Sequence, residues 1–478
     1  MSAEAERPLI PAPTRRDSVA GTLLVATMIL RGLYEWGAPD GFLLASMATA
    51  AGALALFAFH VSRSRRIFLI IGALLTVAAF LVLPDPLPAI GAALTSVSFI
   101  AGFFTALTSL RSAALTSAPI VATGTFLASQ PPGRRYLALS TGGSLFGLIL
   151  MYGSIQLLGG LATDSGRDEP NPERRRHRVR RMLVAVQRGF IATLPWSPLS
   201  FAIAVSTQLV PGADWANVVL PCLVSGLILV LTGWSLDTIF KPRIAGPKAT
   251  FHPPEGSWAR NLAPLLTLLA VLAVVTLGLH FATGVRIVGV VMLAVPLVAL
   301  AWMGEQDVIS HHKHPVLHVA SRARDYALVE LPGNRSKIVL LAMAGYIGSL
   351  GAALLSPAIA NSGIDLSVLP AALVLLALFW IIPVTGQIGM NPILAVSLIA
   401  PLLPTPAEIG VSPTAVIVAI TGGWALSGAT SPYTASTLLI ARYGGVSATH
   451  VGLKWNGAYA LTCGLILSAW VMVVMVFG

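Results

Sequence analysis

Residues 420–440 read ITGGWALSGATSPYTASTLLI, and the fold turns on how this stretch is understood. It lies in a long apolar run, yet its middle, Ser427-Gly-Ala-Thr-Ser-Pro432, is small, rich in hydroxyls and closed by proline. A membrane helix that carries Pro, Gly and clustered hydroxyls together is expected to unwind locally. Unwound backbone at that depth persists only where it faces protein or a water-filled cavity. A second stretch, GFIATLPWSP at 189–198, has the same character and is the expected counterpart in the other half of the chain.

Composition places both stretches in a bilayer. Of 478 residues, 55% are hydrophobic and 10% charged, and the mean hydropathy is +0.81. Soluble domains carry about 25% charged residues. The apolar runs are long and lack an alternating ten-residue pattern, so the expected fold class is an all-α polytopic membrane protein rather than a barrel. A net charge of +11 would suit nucleic acid, but Lys and Arg fall in loops between spans, which reads as topology. No nucleic-acid partner is expected; the lipid bilayer is. Cys222 and Cys463 lie in expected spans, form no metal or disulfide motif, and read as small buried apolar residues. The polar N-terminus, with Arg7, Arg15 and Arg16, precedes an ordinary span without a small-residue cleavage site, so no cleavable signal is expected.

At about 20 apolar residues per span, about eleven spans are expected. They run 17–34, 40–60, 67–84, 89–110, 188–209, 216–239, 260–280, 285–303, 337–359, 413–441 and 454–477. Two longer apolar units, 112–160 and 366–404, each have two arms around a polar centre. With the N-terminus in the cytoplasm, the inner loops hold Arg63, Arg65, Arg66, Arg111, the basic run 174–181, Lys241, Arg243, Lys248, the 304–335 segment and Arg442. The outer loops hold Glu35, Asp40, Asp85, Asp214, Asp365 and Glu408. This positive-inside pattern extends along the chain only if both units enter and leave on one side, as re-entrant hairpins. The expected setting is a bacterial inner (plasma) membrane, with the C-terminus in the periplasm.

The elements then repeat. A tail and first span occupy 1–39, and a first repeat spans 40–239 with its hairpin at 112–160 and a broken helix at 188–209. A cytoplasmic linker, 240–259, leads to a second repeat of opposite orientation at 260–478, with its hairpin at 366–404 and a broken helix at 413–441. Matching Ser197 and Pro198 to Ser431 and Pro432 also pairs Gly189 with Gly423, Phe190 with Trp424, Thr193 with Ser427 and Ser200 with Thr434. Inverted repeats with paired discontinuous helices point to a secondary transporter with alternating access.

Two motifs, Gly386-Gln-Ile-Gly-Met-Asn-Pro-Ile393 and the 427–432 stretch, together with this architecture, resemble the ion transporter superfamily. The resemblance is to the divalent anion/sodium symporters (DASS) and, more loosely, to the large membrane subunit of TRAP transporters, and it covers about 40–477. The Ser-Asn-Thr hairpin signature of that family is absent at both tips, which read Ser129-Gln-Pro-Pro-Gly-Arg-Arg and Gln387-Ile-Gly-Met-Asn-Pro. The resemblance implies a homodimer and an elevator-type movement of the hairpin domain.

The candidate site residues follow from the breaks and the tips. Substrate-binding candidates at the tips are Ser129, Gln130, Arg134, Arg135, Thr385, Gln387 and Asn391; in the broken helices they are Ser197, Thr430, Ser431 and Thr434. Arginine offers a bidentate fork to a carboxylate or phosphate, and Asn391-Pro392 starts a helix whose free N–H groups attract an anion. Ion-binding candidates are Thr193, Ser197, Asn391, Ser427 and Ser431, because hard cations favour oxygen ligands. Sodium is thus the expected coupling ion, and no other cofactor or metal is expected. The competing readings are that Asn391 only caps a turn, that Ser and Thr only satisfy a proline kink, and that 113–130 and 137–160 are ordinary spans joined by a basic loop.

No Asp or Glu falls in the middle of a span, which argues against a carboxylate proton relay. His280 is expected at an interface and Arg31 to snorkel to head groups; His311, His312 and His314 suggest a metal site but lie in a basic cytoplasmic segment and are expected to form a solvated or lipid-facing surface. The favoured function is secondary transport of a small organic anion of carboxylate type. Its alternatives are an exporter of a drug-like or oxyanion substrate, a passive channel, and a membrane-embedded enzyme. An enzyme would want a catalytic carboxylate or His-rich motif near a membrane face, and none is visible.

Overall fold

The computed structural model describes residues 14–131, 134–166, 169–240, 257–362 and 368–477. Several sequence-based expectations lie outside the described residues. These are the tail before Thr14, Pro132 and Gly133 at the first tip, Lys241, Arg243 and Lys248 of the linker, and Asp365 with the start of the 366–404 unit.

The described chain is helical, without strands. It opens with α1 (Arg15–Glu35), α2 (Asp40–Ala58), α3 (Arg63–Val82) and α4 (Pro86–Leu115). Shorter pieces follow: α5 (Ala118–Ala128), α6 (Arg135–Leu150), α7 (Gly153–Asp164), α8 (Pro172–Ile191) and α9 (Phe201–Leu209). Three long helices come next, α10 (Trp215–Ile239), α11 (Trp258–Thr283) and α12 (Ile287–Ile309). Then α13 (Pro315–Asp325) leads through a π-helical turn (Tyr326–Glu330) and the one-turn α14 (Leu331–Gly333) to α15 (Arg335–Asn361). The chain closes with α16 (Ala371–Gln387), α17 (Pro392–Ile399), α18 (Pro413–Thr430), α19 (Ala435–Gly444), a second π-helical turn (His450–Trp455) and α20 (Gly457–Phe477).

Nine of these segments are long and apolar enough to cross a membrane, α18 and α19 together counting as one. The protein is an all-α polytopic membrane protein. The two expected spans not among the nine are the first and the fifth. α1 has the length, but Asp17, Arg31 and Glu35 dilute its apolar character. The span expected at 188–209 is divided between α8 and α9 by the non-helical stretch 192–200.

The chain folds as two compact units, and the division runs across the expected repeats. Unit 1 comprises Met1–Ala113 and Leu279–Pro357, and unit 2 comprises Ala114–Gly278 and Ala358–Gly478. Unit 1 therefore takes α1 to α3, most of α4, α12 to α14 and most of α15. Unit 2 takes α5 to α10, most of α11 and α16 to α20, and with them both breaks.

Within unit 1, Arg31 departs from expectation. It is 2% exposed, its Nη2 lies 2.6 Å from Glu35 Oε1, and Arg286 closes on the other oxygen of Glu35 at 2.6 Å. A pairing carboxylate one turn away offsets part of the cost of burying the guanidinium. His280 is also buried, with Nδ1 2.7 Å from the Val285 carbonyl.

Within unit 2, the region expected as one hairpin at 112–160 is three helices. The second arm is interrupted at Met151 (φ 52) and Tyr152, where α6 gives way to α7. Ser154 Oγ donates to the Met151 carbonyl (2.7 Å) and so satisfies this turn. In the second half α16 and α17 meet through the turn at 388–391, where Gly389 has φ 94. At 11, 16, 12, 17 and 8 residues, α5, α6, α7, α16 and α17 are each shorter than the roughly 20 residues a crossing requires.

Candidate functional site

Both breaks are where the sequence puts proline. In a continuous helix the N–H of residue 432 would bond the Gly428 carbonyl, and that of residue 198 the Leu194 carbonyl; proline has no such donor. In the first half, Ser200 Oγ takes over, donating to the Leu194 carbonyl at 2.8 Å while it also caps α9 by accepting from the Ile203 N–H. In the second, the Gly428 carbonyl accepts from Ser436 Oγ (2.5 Å), Gln187 Nε2 (3.3 Å) and Thr437 Oγ1 (3.4 Å). The same device serves both halves, a hydroxyl beyond the proline capping the carbonyl before it.

The halves also meet here. A Cβ on Gly428 would lie 3.1 Å from Ile191 Cγ2 and 3.4 Å from Leu194 Cδ1, so α18 abuts the end of α8 at the residue whose carbonyl is freed. The paired glycines Gly189 and Gly423 act alike. A Cβ on Gly189 would overlap the Ser140 carbonyl of α6, and one on Gly423 the Phe379 carbonyl of α16. Each helix entering a break thus packs backbone to backbone on a neighbouring short helix. Further along, Gly147 of α6 faces Thr193, and Gly386 of α16 faces Ser427. By these contacts α6 corresponds to α16, and the turn at Met151-Tyr152 to the turn at 388–391.

The next carbonyl, that of Ala429, is claimed by two amides, Gln187 Nε2 (3.4 Å) and Asn456 Nδ2 (3.3 Å). Asn456 also donates to Gln187 Oε1 (3.0 Å) and accepts at Oδ1 from Arg188 Nε (3.1 Å). Arg188 is 7% exposed; it donates further to Tyr136 Oη (3.3 Å) and the Trp455 carbonyl (3.2 Å), and lies 4.2 Å from the centre of the Tyr459 ring. No carboxylate is among these partners. A buried cation one hydrogen bond removed from the second break is therefore held by neutral groups alone. By contrast Arg181, two turns earlier on α8, is matched by both oxygens of Asp237 at 2.8 and 2.6 Å, and those hydrogen bonds raise its pKa.

The predicted residues divide into groups. Ser431 Oγ donates to the Gly386 carbonyl (2.6 Å), and Gln387 Nε2 to Thr430 Oγ1 (3.3 Å), so the turn after α16 and the second break form one cluster. Thr434 bonds the Ser431 carbonyl and Thr437 there, each at 3.0 Å. Ser427 is wholly buried beside them, and its Oγ has no hydrogen-bond partner. Thr385 bonds the Ile381 carbonyl (2.6 Å), and Asn391 caps α17 through the Ile393 N–H (2.8 Å). Thr193 bonds the Phe190 carbonyl (2.7 Å), and Ser197 accepts from the Leu199 N–H (3.1 Å), both local to the first break.

At the first polar tip the predicted residues bond locally, while the adjoining Tyr136 reaches Arg188. Ser129 and Gln130 bond the Phe126 carbonyl at 2.9 and 3.1 Å, and buried Arg135 donates from Nε to the Gln130 carbonyl (2.7 Å). Arg134 is exposed. Sequence reasoning missed Gln187, Arg188 and Asn456. The available signal was two polar residues entering the first break and one at the start of an apolar span. An apolar cavity of about 180 Å³, lined in part by Leu209, Pro211, Val374, Leu378 and Ile409, includes none of these polar residues.

Among solved structures, the chain is similar to the YdaH transporter of Alcanivorax borkumensis, whose crystal structure is described as revealing an unusual topology. The TM-score is 0.54 at 15% sequence identity, over 86% of this chain and 99% of that one. The two share a fold. MtrF of Neisseria gonorrhoeae, described as illuminating a class of antimetabolite efflux pumps, aligns over 88% of this chain and 97% of its own at 16% identity, with a TM-score of 0.49. No protein-family model matches the sequence, and no curated protein matches it.

Proposed function

We propose that this protein is a secondary active transporter of the ion transporter superfamily, moving a small organic anion across a bacterial inner membrane. The observation that carries the reading is the joining of two proline-broken helices at Gly428, beside a buried Arg188 whose partners are all neutral. Broken helices paired across two repeats are the architecture in which transporters hold substrate and coupling ion. A buried guanidinium without a carboxylate leaves its charge to be matched by a ligand, and its fork suits a carboxylate. In this reading Arg188 supplies the charge, Gln187 and Asn456 orient it, and Gln387, Thr430, Ser431 and Thr434 supply neutral polar contacts to the substrate.

The coupling ion in this reading is sodium. Ser427 offers a buried oxygen with no partner, next to Ser431 and the Gly386 carbonyl, and the hydrogen bonds of Ser431 and Thr430 there are to neutral groups. The movement is elevator-type in a homodimer. Both breaks and the short helices α5, α6, α7, α9, α16, α17 and α19 belong to one compact unit, as a carrier that shifts its site as a body requires.

Uptake into proteoliposomes of a panel of labelled carboxylates, with and without a sodium gradient, tests the proposal. Sodium-stimulated flux of at least one anion is expected, and Arg188→Gln abolishes it in protein that still elutes as a folded species. Flux that is indifferent to Arg188→Gln and to sodium would overturn both the anion and the coupling assignments.

A further inference from the structure

The corner between α12 and α13 in unit 1 carries a side-chain cluster unrelated to the breaks. α12 ends in a reversed turn: His311 adopts φ 54, its N–H bonds the Val308 carbonyl, and the His312 N–H bonds the Asp307 carbonyl at 3.1 Å. A left-handed residue at this position is ordinarily glycine, so a histidine here holds the turn against its own preference. The turn folds His312 back over the helix. α13 then brings His318 alongside, and the two imidazole rings stack with centroids 4.3 Å apart at 18°. Beneath them Asp307 is 3% exposed, and its Oδ2 is 2.7 Å from His318 Nδ1.

The metal-binding atoms of Asp307, His312 and His318 all lie within 4.8 Å of one another. We propose that this corner binds one divalent transition-metal ion of the zinc class through those three residues. The ion takes the place of the proton now shared between His318 Nδ1 and Asp307 Oδ2, and small rotations of two exposed rings complete the approach. Two imidazoles and one carboxylate suit zinc, nickel or copper, whereas calcium and magnesium want oxygen alone. Three protein ligands leave a position for water, which the exposure of both rings supplies.

An outer layer is already in place. Arg322 Nη1 is 3.3 Å from Asp307 Oδ1, Arg322 Nη2 donates to Gln306 Oε1 (3.1 Å), and Gln306 Nε2 to the Ala113 carbonyl (3.1 Å). These contacts fix the carboxylate with one oxygen turned to the rings, as outer-shell partners do in established metal sites. The guanidinium also makes Asp307 a single-oxygen ligand, which moderates affinity.

The test uses tag-free protein in detergent, stripped with a chelator and titrated with zinc chloride by calorimetry, with cobalt absorption as a second readout. One ion per chain is expected. His312→Ala and His318→Ala, both at exposed positions, each weaken binding about a hundredfold or more, while His314→Ala leaves it unchanged. An absence of binding to the unaltered protein, or binding that survives loss of both His312 and His318, would overturn the proposal.

Discussion

Two backbone carbonyls, those of Leu194 and Gly428, show how single residues shape this protein. Each loses its helical donor to a proline and regains one from a hydroxyl, but the replacement is single at Leu194 and threefold at Gly428. Ser200→Ala should therefore cost the full penalty of an unpaired buried acceptor, about 1–3 kcal/mol. Ser436→Ala should cost less, because Gln187 and Thr437 still reach the same oxygen. Apparent melting temperatures from heating followed by size-exclusion chromatography would rank the two variants; a larger fall for Ser436→Ala contradicts this account. Ser427→Ala removes a hydroxyl that bonds nothing, so thermal stability should hold or rise by up to about 1 kcal/mol. Under the proposed coupling, its half-saturating sodium concentration should nevertheless increase several-fold; an unchanged sodium dependence would remove Ser427 from the ion site. The hydroxyls and the prolines were legible in the sequence because a break is a local property. Gln187, Arg188 and Asn456 were not, since their roles depend on partners 241 to 269 residues away.

Among elements, the sequence match between the two broken helices pairs residues with like surroundings. The matched glycines Gly189 and Gly423 do the same work, each letting a helix lie against another backbone. Alanine at either should overpack its contact and destabilise by about 1–3 kcal/mol or more. Gly160→Ala in α7, where a Cβ meets nothing within 4 Å, should be neutral or slightly stabilising. Equal melting temperatures for all three variants would show that the close approach is not tight. The arrangement of 112–160 was less legible. Its polar centre at 129–135 drew attention by charge, while the turn at Met151-Tyr152, inside an apolar run, carries no proline and is satisfied mostly by backbone bonds with Ser154 Oγ added. Hydrophobicity marks where a chain is buried, but within a buried run it does not mark where the chain bends.

At the scale of the whole molecule, the sequence repeat and the compact units answer different questions. The expected repeat is an order of elements along the chain. The units gather stretches far apart in that order, such as Ala114–Gly278 with Ala358–Gly478, which a linear reading cannot display. Cys222 and Cys463 are both fully buried in unit 2 and reduced. The folded protein should therefore take up almost no water-soluble maleimide, and two equivalents per chain once denatured; labelling of the native state would show that unit 2 opens to water at these helices. One further consequence concerns α8, which the sequence divided into a basic linker and the start of a span. It is a single helix of 20 residues, about 30 Å long. Its charged end begins at Pro172, Arg181 fastens it to Asp237 on α10, and its other end delivers Gln187 and Arg188 to the second break. The basic run and the groups that hold the second break closed therefore share one hydrogen-bonded helix, with no loop between them to separate the two.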